Sequence, residues 1–410
     1  MDLKRSMIWM AMIAILLASP AMAIDWQKVK CCDATKCGED VGCCDAQEYC
    51  CQKTVGIEVG GWMSSGIYSN QYGAKSNGPL YMRDYGDGYT VDQMWIHAEK
   101  KADNGGSGLA FGGRVDFMWG ADGPDTQCFG DGGWDGAWMT SKDDNYGSAL
   151  PQLYAEMAYN DLNVKVGHFY TIIGYEVVPA PENFFYSHSY AMAFEPLTHM
   201  GVLADYKMTD RLSVQSGWVN GWDNGWVNPS GASTFLGGVK YKLGNRASLA
   251  YATSFGDLQD RTVTAGQPNF KSTGYIHSLV FQWQMNCRMK YVMQSNFLTT
   301  ADEGTGALLR SRKGYGIDQY LFYTINNRWS AGTRVEWFRG EIGALAGPVE
   351  TGNAVAVTLG LHYKPTDRIT FRPEIRWDCT SGDPIRQALV FDNNTRSSQF
   401  SGGFDFIYSF

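Results

Sequence analysis

Cysteine is the residue whose spacing most restricts its chemistry in this 410-residue chain, because seven of its ten cysteines fall close together near the N-terminus. Closely spaced thiols either form disulfides or bind a metal ion such as zinc. The cluster contains no C-x-x-C spacing and no histidine, so disulfides are favoured, and we predict neither a metal nor another cofactor. The disulfide candidates are Cys31, Cys32, Cys37, Cys43, Cys44, Cys50 and Cys51.

Hydrolysis is a second chemistry to consider, since His188 and Ser189 are adjacent and resemble a base beside a nucleophile. The chain lacks the motifs G-x-S-x-G, H-E-x-x-H and C-x-x-C-H, and it has only six histidines. Adjacent serine and histidine residues in a loop are far more often polar surface than a catalytic pair. We therefore predict that the protein is not an enzyme and keep a hydrolase as a minor alternative.

Charges at every second position of otherwise apolar segments form the third chemically distinctive set. Arg372, Glu374 and Arg376 alternate with apolar side chains in 369–377, and Arg334 and Glu336 lie in a similar segment. Successive side chains of a β-strand point to opposite faces, so these charges share one face and the apolar residues share the other. Such strands separate water from lipid, and their charges are expected to line an aqueous lumen.

Sixteen segments with strand-like alternation carry these charges. Short turns rich in Asn, Asp and Gly alternate with long polar connections, which is typical of a transmembrane barrel with periplasmic short turns. The predicted fold is therefore all-β, a transmembrane antiparallel β-barrel of about 16 strands over 54–410, with both termini periplasmic. The predicted strands are 54–70, 92–103, 107–120, 149–161, 162–171, 199–210, 211–224, 232–244, 245–257, 273–286, 287–300, 314–327, 328–340, 354–367, 368–380 and 398–410.

Both ends of the chain agree with this fold. Residues 1–23 have the charged start, apolar centre and Ala21-Met22-Ala23 cleavage site of a signal peptide. Cleavage there leaves 24–53 as a short Cys-rich periplasmic segment. At the other end, Phe406, Tyr408 and Phe410 share one face of the last strand. We predict that they form the signal through which the barrel-assembly machinery recognises the chain.

Composition and charge exclude other classes of protein. The formal net charge of −8 argues against a nucleic-acid partner, which requires a basic surface. After the signal peptide, no segment offers about 18 consecutive apolar residues, so a helical membrane protein is excluded. The predicted partner is outer-membrane lipid, and the predicted location is the outer membrane of a diderm bacterium.

The segment 172–198 differs from the other long connections because it is rich in aromatic residues, as in Phe184-Phe185-Tyr186. A solvated loop does not favour this composition, so we predict that the segment folds against the inner wall and narrows the pore. A lid at the barrel mouth is the alternative. Opposed charges at such a constriction sort solutes by a transverse field. The candidates are Glu176, Glu182 and Glu195 on the loop, and Arg114, Lys290, Arg334, Arg372 and Arg376 on the wall.

Three cysteines lie outside the N-terminal cluster, and the strand order assigns each to one side of the membrane. Cys287 falls in a periplasmic turn, which makes eight cysteines on that side and suggests a disulfide between the tail and Cys287. Cys128 and Cys379 fall on the extracellular side and are candidates for a second disulfide if their Cα atoms approach to about 4.4–6.8 Å. The alternative is that all three are isolated thiols.

Three runs of sequence are similar to those of the OmpL-like β-barrel porins. They are 166–176 (VGHFYTIIGYE), 183–190 (NFFYSHSY) and 198–202 (THMGV). The resemblance is strongest from about 160 to 225 and extends to the C-terminus. It implies a porin of a diderm outer membrane, and it transfers no substrate and no functional residue beyond the loop. The strand count also resembles that of the trimeric general porins, which makes a homotrimer an expectation.

Together these features predict a water-filled channel for passive diffusion of small hydrophilic solutes or ions. An adhesin or receptor barrel that uses its long extracellular loops, notably 121–148, is the main alternative, and an outer-membrane hydrolase is less favoured. The inward charges nearly balance, so the sequence leaves the solute and the charge preference open.

Overall fold

The computed structural model describes residues 56–82, 88–128, 135, 146–226, 228, 231–259, 271–303, 313–341, 351–382 and 389–410. The signal peptide and Cys-rich segment predicted at 1–23 and 24–53 lie outside these residues. The strands are β1 (Glu58–Asn70), β2 (Tyr89–Lys100), β3 (Leu109–Gly120), β4 (Gly147–Ala149), β5 (Leu153–Tyr159), β6 (Leu162–Tyr170), β7 (Thr198–Lys207), β8 (Leu212–Val219), β9 (Ser233–Leu243), β10 (Ala247–Gln259), β11 (Lys271–Gln284), β12 (Met289–Glu303), β13 (Lys313–Thr324), β14 (Trp329–Glu341), β15 (Thr351–Thr366), β16 (Ile369–Gly382) and β17 (Ser398–Ser409).

These strands form one closed antiparallel sheet. Each pairs with its neighbours in sequence, and β17 pairs with β1, so neither the first nor the last strand has a free edge. β4 and β5 both pair with β3 and are two parts of one wall strand, which gives sixteen wall positions within the described residues. The predicted barrel of about 16 strands is confirmed. The break between β4 and β5 contains Pro151, which has no N–H to donate to a sheet.

Inward and outward faces alternate as predicted. The outward residues Val335, Leu359 and Ile375 are 41%, 50% and 64% exposed, whereas Arg334 and Arg376 on the inner face of the same strands are buried. A closed sheet with an apolar outer face and a charged inner face is suited to lipid outside and polar contents inside.

The connections divide into two classes by length. One end of the barrel has the tight turns 160–161, 208–211, 244–246, 285–288, 325–328 and 367–368, together with 101–108, and is here called the short-turn end. Asn160 and Gly244 adopt φ values of 50° and 72° in these turns, a conformation that Asn and Gly tolerate better than most residues. The opposite end carries the longer connections and is called the long-loop end.

Helices are few and short. The α-helix α1 spans Gly123–Thr126, and 3₁₀ turns occur at Ala180–Glu182 and Met192–Phe194. Among the described residues, no helix is both long enough and apolar enough to cross a membrane.

Candidate functional site: a loop folded into the barrel

The connection between β6 and β7, residues 171–197, lies inside the barrel and is called the internal loop. The Gly174 N–H donates to Ser278 Oγ of β11 at 2.9 Å, and the Ala180 N–H donates to Gln93 Oε1 of β2 at 3.0 Å. β2 and β11 are eight positions apart in a sixteen-position wall and therefore face each other. The internal loop crosses the lumen, as an inward fold predicts and a lid at the mouth does not.

The turn that aims this loop is formed by local hydrogen bonds. Asn183 accepts from the Val177 N–H at 3.1 Å and donates to the Val177 and Pro179 carbonyls at 2.5 and 3.1 Å. Gly174 has a φ of 94° and lies so close to the Glu195 carboxylate that a Cβ would collide with it. Both features require these residue types at these positions.

Arg334 of β14 is the central contact between wall and loop. Its guanidinium donates to Glu176 Oε1 at 2.8 Å and to the Ser187 carbonyl at 2.7 Å, both in the loop. It also binds Glu336 Oε1 on its own strand at 2.7 Å, and the Phe185 ring centre lies 5.1 Å away. Arg334 is fully buried, so these partners must offset the cost of removing its charge from water.

Arg372 and Arg376 of β16 bind the loop in the same way. Arg372 forms a two-point ion pair with Asp405 of β17, at 2.9 and 2.6 Å. Its remaining nitrogen donates to three loop carbonyls at 2.8–2.9 Å, those of Ala180, Asn183 and Phe185. Arg376 donates to Glu336 at 2.7 Å and to the His188 carbonyl at 3.2 Å. Both arginines are at most 2% exposed.

Wall carboxylates accept the N–H groups of the loop. Glu374 accepts from the Tyr186 and Ser187 N–H groups at 2.8 and 3.1 Å, and Glu336 accepts from the Tyr190 N–H at 2.8 Å. The sequence identified Glu336 and Glu374 as inward-facing but gave them no role. Each glutamate lies two residues from an arginine on the same face of its strand, and this spacing is the sequence signal that could have identified them.

Glycines in the wall leave room for the aromatic residues of the loop. Phe184 lies so close to Gly332 of β14 that a Cβ there would be 2.5 Å from its ring, and Phe185 lies against Gly360 of β15. Phe194 packs against Phe338 with ring centres 4.3 Å apart and the rings tilted by 36°. The aromatic composition of the loop is therefore explained by burial against the wall.

The three loop glutamates have different surroundings. Burial raises the pKa of Glu176, but Arg334 and the hydrogen bonds from His188 and Ser189 outweigh it and lower this pKa to about 2. Burial raises the pKa of Glu195 to about 8, although two amide side chains donate to it. The Glu182 side chain is exposed. Partial desolvation raises its pKa, although the positive charge of Arg114 acts in the opposite direction.

The predicted wall residues separate into two groups. Arg334, Arg372 and Arg376 are in direct contact with the loop, whereas the sequence predicted opposed charges across an aqueous gap. Arg114 and Lys290 are only half-buried. Arg114 binds Glu99 at 3.2 Å and Asp116 at 2.7 Å, and Lys290 Nζ lies 5.6 Å from the centre of the Tyr175 ring.

The predicted disulfide between Cys128 and Cys379 is not formed. Cys379 has a free thiol, and Cys128 Sγ lies 3.4 Å from His168 Nε2 in the interior. Cys379 follows Asp378, an inward residue, so it has the outward parity of Trp377 and points away from Cys128. Cys287 is exposed in the turn 285–288, and its predicted partners in the tail lie outside the described residues.

The described residues contain no group of three or more His, Cys, Asp or Glu side chains arranged to hold a metal ion. His188 Nδ1 lies 3.3 Å from Glu176 Oε2, and the Ser189 hydroxyl accepts from the Met192 N–H at 3.4 Å. These contacts connect both residues to other parts of the internal loop.

Three solved structures illustrate the similarity of fold. The outer membrane channel DcaP of Acinetobacter baumannii has a TM-score of 0.56 at 11% identity, covering 86% of this chain and 97% of that chain. An anion-selective porin from Comamonas acidovorans has a TM-score of 0.56 at 10% identity, covering 87% of this chain and 99% of that chain. In-vitro folded OmpT of Vibrio cholerae, in its trimer form, has a TM-score of 0.55 at 12% identity, covering 87% of this chain and 99% of that chain.

These identities show a shared fold alone, and no curated protein sequence matches the chain. The family model described as "Putative beta-barrel porin-2, OmpL-like" matches residues 56–410, which includes the whole barrel and the internal loop. The chain therefore belongs to this family of OmpL-like β-barrel porins.

Proposed function

We propose that this protein is an outer-membrane porin that lets small hydrophilic solutes diffuse passively through a channel narrowed by the internal loop. The observation that carries the proposal is a loop fixed across the lumen of a closed barrel whose outer face is apolar. Glu176, Glu182 and Glu195 are assigned to the constricting loop, on which Glu182 is exposed while Glu176 and Glu195 are buried, and Arg114 and Lys290 line the space beside the loop. Arg334, Arg372 and Arg376 of the wall hold the internal loop in position.

The proposal extends to location and assembly. The short-turn end and both termini lie in the periplasm, as the export route and the alternation of connection lengths favour. The barrel is inserted by the assembly machinery and associates as a homotrimer. The trimer form of OmpT, which has the same fold, supports this arrangement. No enzymatic activity is assigned.

Conductance of the purified protein in a planar lipid bilayer tests the proposal. We expect stable, stepwise openings of nanosiemens scale from folded protein and none from protein that has been heat-unfolded. A folded barrel that inserts but never conducts would contradict the porin function and favour the adhesin or receptor alternative.

A further inference from the structure

The inner wall between the internal loop and the short-turn end has a one-sided distribution of charge. Four lysines line it on the side formed by β9 to β15. They are Lys240 and Lys242 of β9, Lys290 of β12 and Lys364 of β15. On the described inward positions of β8 to β15 toward the short-turn end, there is no aspartate or glutamate.

The inward direction of these lysines follows from the register. Lys240 and Lys242 alternate with Val239, Tyr241 and Leu243, which are 38–46% exposed on the outer face. Lys290 lies against the ring of Tyr175, a residue of the internal loop. The side chains therefore project into the lumen on the short-turn side of the loop.

Among the described residues, these lysines have no ion-pair partner, although Asp210 and Asp367 in the adjoining turns lie near Lys242 and Lys364. Within the described part of the chain, none of the four forms an ion pair, in contrast to the buried arginines beneath the loop. Lys240 and Lys242 are exposed and two residues apart on one face, about 7 Å along the strand. This spacing is below the screening length of about 8 Å at physiological salt, so their fields add.

The inward-facing acids of this region lie on the other side of the barrel, and neighbouring groups bind three of them. Glu99 pairs with Arg114 at 3.2 Å. Glu156 of β5 accepts from the Ala102 N–H at 3.2 Å and faces Lys165 across the β5–β6 pair. Asp205 of β7 accepts from the Gln215 side chain at 2.8 Å.

Arginines in the turns extend the same basic side to the barrel rim. An arginine ends each of the five turns from β7–β8 to β15–β16, and its carbonyl accepts an N–H from the adjoining strand at 2.7–2.8 Å. All five are exposed, and they are Arg211, Arg246, Arg288, Arg328 and Arg368. The repeated backbone position places these five residues at the same level of the short-turn end.

The four lysines and the five turn arginines are together called the basic arc. We infer that the basic arc forms an anion-attracting vestibule, so that the channel prefers small anionic solutes over cations. Fixed positive charges along one wall raise the local concentration of anions and lower the barrier to their passage. The inference rests on the proposed channel function and specifies the class of solute. The internal loop separates this vestibule from the long-loop end.

The test is the zero-current potential in a bilayer under a potassium chloride gradient. We expect the wild-type channel to have a chloride-to-potassium permeability ratio above one. Lys240→Gln with Lys242→Gln should lower that ratio roughly twofold, because two of the four lysines are neutralised. Both lysines are exposed, so the barrel should fold, as heat-modifiable gel mobility would show. Lys240→Glu with Lys242→Glu should lower the ratio further.

The matched control is Lys100→Gln with Lys313→Gln, which removes the same charge from exposed residues on the outer face. An unchanged ratio in this control, with a lowered ratio in the lumen variant, supports the vestibule. A conducting channel that prefers potassium, or equal shifts in both double variants, would overturn the inference while leaving the porin function intact. Complete absence of conductance would instead overturn the porin function itself.

Discussion

The buried ion pairs of the internal loop determine where the loop lies on the wall more than they stabilise the folded protein. A buried pair often contributes little compared with apolar residues, but removal of one partner leaves the other charge buried and uncompensated. Arg334 has two such partners, Glu176 on the loop and Glu336 on the wall. Its guanidinium therefore links the loop to one place on β14.

At the residue scale, we expect Arg334→Met to release the internal loop from the wall. Loss of the guanidinium removes the arginine partner of the buried Glu176, whereas Glu336 keeps Arg376, and this should weaken loop docking by about 3–5 kcal/mol. Single-channel recording should show a larger and noisier conductance. The control is Arg339→Met on the same strand, where the arginine is exposed. Wild-type current in a folded Arg334→Met channel would contradict the assigned role.

Glu195 predicts a pH dependence of the same docking. Its pKa is raised from 4.5 to about 8, first by burial and further by the negative charge of Glu176. The docked loop therefore retains a proton that a solvated loop releases, and this stabilisation is complete below pH 4.5 and lost as pH rises through about 8. Conductance should increase over that upper range as the loop loosens.

Recordings at stepped pH on wild type and on Glu195→Gln measure this effect. The glutamine side chain cannot ionise, so the increase near pH 8 should disappear while the conductance at neutral pH stays close to that of wild type. An identical pH response in both proteins would assign it to another group.

At the scale of elements, the internal loop and the barrel wall have separate sources of stability. The wall strands pair through their own backbone ladders, whereas the loop is held mainly by side chains of β14 and β16. We expect deletion of residues 176–190 to leave the barrel folded and to enlarge the conducting path. A higher single-channel conductance with unchanged heat-modifiable mobility is the expected result, and unchanged conductance would contradict the constriction.

The tail and the turn of Cys287 give a second prediction at this scale. Seven tail cysteines cannot all pair among themselves, and Cys287 is exposed at the short-turn end, where β1 begins. We predict a disulfide between the tail and Cys287. Non-reducing peptide mapping of protein purified from the outer membrane should recover the linked peptide, whereas an unmodified Cys287 thiol would exclude the tether.

At the scale of the whole molecule, the barrel is closed by its last strand. Phe410 exchanges backbone hydrogen bonds with Gly61 at 3.0 and 3.2 Å, and Tyr408 and Phe410 are exposed on the outer face. Closure removes both sheet edges, which a membrane protein cannot leave unpaired in lipid.

We therefore expect Phe410→Ser, or deletion of Phe410, to reduce assembly into the outer membrane. The measurement is the amount of heat-modifiable barrel in isolated outer membranes. Phe400→Ser is the matched control, because Phe400 is 59% exposed near the opposite end of the same strand. Equal losses in the two serine variants would indicate a general effect of polarity rather than a terminal signal.

The sequence by itself determined the barrel, the approximate strand boundaries and the inward position of Arg334, Arg372 and Arg376. These follow from a period of two residues and from turn chemistry, which are local properties of the chain. The aromatic content of 172–198 also indicated burial inside. The sequence placed Cys128 and Cys379 at the same end and left open whether they pair, because pairing also requires both side chains to face the same way.

Only the tertiary structure decided the partners of the buried charges. Arg334 meets Glu176 although 158 residues separate them, and Arg372 reaches carbonyls of the 180–185 turn. Such contacts depend on barrel closure, strand register and the path of a loop that has no periodic pattern. They also depend on Gly332, because a side chain at this position would collide with the Phe184 ring, and the sequence gives no indication of that contact. Local alternation fixes which face a charge occupies, and the closed barrel fixes what that charge contacts.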